Sequence, residues 1–121
     1  MSGFDVRQIG TVREIGDDRF LLEVSAAYRT GLDGLESGDR VQVLYWMHEL
    51  GKADRRSLHA HPRDDESKPR RGVFGLRSPM RPNPIGVSEV EVVEVRPAGL
   101  VVVGLDARDG SPLIDIKGAC R

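Results

Sequence analysis

The chain has 121 residues, 39% of them apolar and 31% charged, with a formal net charge of −1. That length fits one domain built on a single hydrophobic core, excludes separate catalytic and cofactor domains, and the composition excludes wholesale disorder. A single cysteine, Cys120, excludes an internal disulfide, the start MSGFDVRQIG has no basic end leading into an apolar stretch, and no apolar run reaches membrane-spanning length, so a cytosolic protein is expected.

In chain order, the first β signals are residues 20–24 (FLLEV) and 40–47 (RVQVLYWM), rich in β-branched and aromatic residues. Between them, residues 25–39 carry Gly31, Gly34 and Gly38, which break the apolar spacing and leave room for one short helical turn. Residues 50–71 show no periodicity over about twenty positions, the mark of a functional or disordered loop. A further strand is expected over 72–76 (GVFGL).

Residues 77–86, RSPMRPNPIG, contain Pro79, Pro82 and Pro84. Each proline fixes φ and lacks a backbone donor, so neither a helix nor a central strand runs through them and a stiff loop is expected. In 87–96 (VSEVEVVEVR) valines alternate with polar residues until Val92 and Val93 fall side by side. That slip shifts the inward set by one and predicts a β-bulge or sharp bend. Pro97, Ala98 and Gly99 form the turn of a hairpin that returns through residues 100–105. The expected fold is mainly β: a small single-domain antiparallel barrel over residues 1–121 with a long polar loop at about 50–71.

Charge is unevenly spread. Residues 51–81 hold nine Lys/Arg against four acids, a surplus of five, so the remainder carries −6. A local positive field on an acidic molecule suits an anionic ligand, although a charge run alone is more often a solvated face. Neither the dinucleotide fingerprint GxGxxG nor the phosphate loop GxxxxGK[ST] occurs, and His48, His59, His61 and Cys120 match no zinc spacing, so no metal is expected. Ser78 lies in no nucleophile-elbow context.

What remains is Arg77 and Arg81 on the proline loop, whose guanidinium forks suit carboxylate or phosphate, and a second polar segment, GLDARDGSPLIDIK, at residues 104–117. An Asp there can accept hydrogen bonds from ribose hydroxyls or an α-amino group. Asp109 and Gly110 read more simply as a turn, and Asp115 with Lys117 as a structural ion pair.

The stretches RRGVFGLRSPMRPNPIGVSEVEVVEV, GLDARDGSPLIDIK and, upstream, GLDGLESGDRVQVLYWMHEL resemble the signature of the TsaA-like family, also called the YaeB or TrmO family, over roughly residues 28–118. The resemblance implies a β-barrel, S-adenosylmethionine-dependent methyltransferase acting as a homodimer, with N6-methylation of threonylcarbamoyladenosine at position 37 of a tRNA as its activity. Carried over residue by residue, it implies cofactor contacts at His48, Glu49, Arg77, Val87, Gly104, Leu105 and Asp106. It leaves Arg81, Arg70 and Arg71 for substrate and Asn83 as the candidate catalytic acceptor of the amine proton. The sequence departs from the family pattern in three places: it has no Pro-Arg-Gln turn near its start, Met80 stands where His is frequent, and the aromatic continuation after Lys117 is missing. These departures keep two alternatives open, a small-molecule methyltransferase of the same fold and a non-catalytic S-adenosylmethionine-binding module.

Overall fold

The structure is a computed structural model and describes residues 3–48 and 55–119. Six strands make a barrel: β1 (Gly10–Gly16), β2 (Arg19–Val24), β3 (Arg40–Trp46), β6 (Ile85–Arg96), β7 (Gly99–Val103) and β8 (Pro112–Gly118). Two short strands, β4 (His59–Ala60) and β5 (Arg71–Gly72), pair with each other outside it. The barrel closes, antiparallel throughout, in the order β1-β2-β7-β6-β3-β8. Closure removes every sheet edge that a small open sheet would leave exposed.

Alternation decides what faces inward. Val41, Val43 and Tyr45 of β3, Val90 and Val92 of β6, Phe20, Leu22 and Val24 of β2, and Leu100 and Val102 of β7 meet in one core with Val12, Leu105 and Leu113. The β1–β2 hairpin turns through Asp17 and Asp18, both with positive φ (53° and 58°), as a two-residue turn that matches strand twist requires.

The expected slip at Val92 and Val93 is a bulge: the β6–β7 register shifts between Val92 and Glu94. It has an architectural use. The first half of the twelve-residue β6 pairs with β3 and the second half with β7, and the bulge bends the strand from one neighbour to the other. The short helical turn is a 3-10 helix at Ala26–Leu32.

Two expectations are corrected. Residues 72–76 are not a strand: only Gly72 pairs, and the chain then coils into a 3-10 turn at Val73–Gly75. The apolar signal came from Val73, which is buried and bonds its N–H to the Leu58 carbonyl at 2.9 Å, while Phe74 beside it points outward. Asp115 and Lys117 form no ion pair among the described residues; Asp115 accepts instead from the Ile116 N–H at 2.8 Å. They lie on β8, which, like β1, does not stand out in the sequence. Asp109 and Gly110 do form a turn, and Asp109 Oδ1 accepts from the Glu14 N–H at 2.9 Å.

Candidate functional site: a cavity at the proline-loop end of the barrel

The three prolines hold their loop across one end of the barrel. Ile85 N–H bonds the Asn83 carbonyl and Met47 N–H bonds the Pro84 carbonyl, both at 2.7 Å, so the loop is fastened to the end of β3. Arg81 turns its Nη1 back onto the Leu76 and Ser78 carbonyls at 2.9 and 3.3 Å. From the long loop, Arg55 lies over the Trp46 ring at 5.3 Å and donates to the Pro82 carbonyl at 2.9 Å. Two arginines thus satisfy loop carbonyls in a stretch where the prolines leave few backbone donors.

Beneath this loop lies a cavity of about 810 Å³. Its walls mix apolar side chains (Met47, Leu76, Ile85, Val87) with His48, Arg77, Arg81, Asn83, Asp106 and Arg108. Size and lining match a site for a small molecule that is part apolar and part charged.

The floor is a phenol. Tyr45 faces Gly86 directly across the β3–β6 pair, and its ring occupies the space a side chain on residue 86 would need. The Tyr45 hydroxyl donates to the backbone carbonyl of Asp106. With its one proton committed there, it accepts from Ser88 Oγ at 3.4 Å. This ties the β7–β8 turn to the barrel interior. Ser111, also buried, holds the other end of that turn through its Oγ on the Arg108 carbonyl at 2.6 Å and its carbonyl on the Val12 N–H at 2.9 Å.

Burial raises the Tyr45 pKa above the ordinary value of 10.0, the Ser88 bond and Arg77 opposing and Asp106 reinforcing. A raised folded-state value means that the stabilising neutral form is fully present below pH 10 and lost as pH rises through the folded pKa. In a spectrophotometric titration one tyrosine therefore ionises late, and Tyr45→Phe removes that late step. An unchanged titration in the variant would refute the buried phenol.

Of the residues singled out from sequence, His48, Arg77, Arg81, Asn83, Val87 and Asp106 come together on this cavity. Arg77 also reaches the Val87 carbonyl at 3.4 Å. Gly104 and Leu105 do not line it: Gly104 makes the turn after β7 with φ +86°, and Leu105 is a core residue. Arg70 and Arg71 are exposed and are not among the lining residues, and Glu49 falls outside the described residues. Sequence reasoning missed Tyr45, Ser88 and Phe74 as cavity residues. No helix of the described residues is long and apolar enough to cross a membrane, and no cluster of three or more His, Cys, Asp or Glu gathers among them.

These features define a class: a six-stranded antiparallel barrel with a cavity of mixed apolar and charged lining under a proline loop at one end. Residues 7–120 match the family described as tRNA-methyltransferase O N-terminal domain, and the chain belongs to that family. It is 37% identical over 113 residues to a probable S-adenosyl-L-methionine-binding protein of Methanocaldococcus jannaschii, covering 93% of this chain and 89% of that one. A protein of Archaeoglobus fulgidus named as S-adenosyl-L-methionine-binding is 49% identical over 90 residues, 74% of this chain and 61% of its own. Among solved structures, the crystal structure of TrmO from Pseudomonas aeruginosa superposes with a TM-score of 0.73 at 26% identity, covering 98% of this chain. The chain spans 57% of that structure's length.

Proposed function

We propose that the chain binds S-adenosylmethionine in this cavity and, as a cytoplasmic homodimer, methylates N6 of threonylcarbamoyladenosine at position 37 of a tRNA. One observation carries the reading: Arg77 and Asp106, a guanidinium and a carboxylate, line one cavity together with the apolar side chains of Met47, Leu76, Ile85 and Val87. That donor set fits the cofactor. The Arg77 fork suits its carboxylate, Asp106 its amino group or ribose hydroxyls, and Val87, Ile85, Leu76 and Met47 its apolar faces.

When bound, the cofactor supplies an electrophilic methyl group on a sulfonium. The protein's own share is positioning. Asn83, at the cavity rim, offers side-chain and backbone carbonyl oxygens to an incoming amine proton, and Arg55 Nη2, 3.5 Å from Asn83 Oδ1, steadies that side chain. Surface charge supports an RNA acceptor. The ion pairs among the described residues, Arg13–Glu23, Arg40–Glu89 and Arg96–Glu94, all join barrel-strand residues. Arg70, Arg71 and the other described cations of the loop pair with no carboxylate among the described residues, which suits an RNA backbone. Because relatives of this chain are named for S-adenosylmethionine binding alone, a narrower reading also stands, an S-adenosylmethionine-binding module without transfer.

Calorimetric titration with S-adenosylmethionine tests the proposal, followed by incubation with tRNA and labelled cofactor. Micromolar binding is expected, weakened about tenfold to a hundredfold in Arg77→Ala and in Asp106→Ala, since hydrogen bonds to charged groups are worth that much. No binding by the wild type overturns the cofactor assignment. Binding without transfer to tRNA selects the module, and transfer to small acceptors alone selects a small-molecule enzyme.

A further inference from the structure

We propose that Phe74 is a stacking platform for an unpaired RNA base at the cavity mouth, with the neighbouring guanidiniums taking the flanking phosphates. This rests on the RNA-acceptor reading above and adds the group that grips a base. Phe74 lines the cavity yet is 79% exposed, whereas Val73 beside it is 1% exposed. The exposure is built in. Val73 is clamped through its N–H to the Leu58 carbonyl and accepts from the Leu76 N–H at 3.0 Å, so the 3-10 turn at Val73–Gly75 aims the next side chain outward.

Neighbours leave the ring uncovered. Gly75 follows it and Gly72 lies two residues before it, and a Cβ on Gly72 would meet nothing closer than 3.9 Å. A Cβ on Gly75 would lie 3.5 Å from Arg71 Nη2, which places that guanidinium beside the turn. Among the described residues, 55–81 carry eight Lys/Arg against Asp64, Asp65 and Glu66, and none of those eight forms an ion pair with a described carboxylate. An open aromatic face among such guanidiniums is the chemistry that holds single-stranded nucleic acid, because every base offers a π-face and every link a phosphate. Duplex RNA keeps its base faces stacked and offers none to the ring.

The experiment uses a synthetic RNA hairpin with a fluorescent aminopurine in its single-stranded loop. Its binding is measured to the wild type, Phe74→Leu and Phe74→Trp, alongside S-adenosylmethionine titration and sedimentation of each. The expected result is fluorescence quenching by the wild type, hairpin affinity about tenfold lower with loss of quenching in Phe74→Leu, and recovery of both in Phe74→Trp. Oligomeric state stays as in the wild type, and cofactor affinity falls by clearly less than hairpin affinity, since Phe74 is one of many lining residues. Equal hairpin binding by wild type and Phe74→Leu overturns the platform alone. A drop in cofactor affinity in Phe74→Leu as large as the drop in hairpin affinity makes the ring a cofactor wall, and dissociation into monomers makes it a subunit contact; either overturns the platform. A wild type that binds S-adenosylmethionine but no hairpin overturns the RNA-acceptor reading itself.

Discussion

Gly99→Ala should cost the barrel about 3 kcal/mol or more, in the range that backbone and core disruption produce. Gly99 opens β7 opposite Glu23, and a Cβ built on it lands on the Leu22 carbonyl oxygen, closer than any non-bonded contact allows. Neither partner can retreat. Leu22 is fully buried in the core and β2 is laddered on both sides, to β1 and to β7, so relief requires prising two strands apart. Against a total stability of about 5–15 kcal/mol, such a loss leaves a thin margin. Urea denaturation of Gly99→Ala and Gly31→Ala makes the comparison, since a Cβ on Gly31 meets nothing within 4 Å. The midpoint should fall steeply for the first and stay near wild type for the second. Equal midpoints would mean that the β2–β7 approach is looser than the structure shows.

The readable parts of the fold are those whose inward and outward faces differ. β3 and β6 alternate cleanly, and even the bulge at Val93 is visible as two adjacent valines. β1 and β8 escape notice for a physical reason. GTVREIG buries only two residues, and the β8 register breaks opposite Leu44 and Tyr45, so neither strand shows a sustained period of two. They also close the barrel through a pairing as short as Gly10 with Leu113 and Thr11 with Pro112, about a hundred positions apart in the chain. The site divides the same way. Arg77 and Asp106 are charged residues at a stiff loop and a strand end, whereas Tyr45 and Ser88 are polar residues in the inward set of otherwise apolar strands. Their parity is a usable signal: a polar side chain facing inward near a strand end marks where a barrel stops being core and becomes cavity. Phe74 carries no such signal, because its exposure depends on which of two adjacent apolar residues the Leu58 carbonyl clamps.

Gly86→Ala is expected to strike fold and site together. The added methyl would lie 2.5 Å from Cε2 and Cζ of Tyr45 and 2.8 Å from its hydroxyl oxygen. A free ring would swing aside, but this one is tethered at its far end to the Asp106 carbonyl and to Ser88. The ring therefore either breaks that tether and rises into the cavity, or β6 shifts against β3. Overpacking of this kind costs about 1–3 kcal/mol, and loss of the tether frees the turn that carries Asp106. Stability and cofactor affinity should fall together. A double-mutant cycle separates this cause from a general effect of alanine in a strand. With Tyr45→Ala the methyl has room, so Gly86→Ala should then cost almost nothing, giving a coupling above about 1 kcal/mol. Additive penalties in urea denaturation would show that Gly86 is needed for its backbone alone and that Tyr45 is not seated against it.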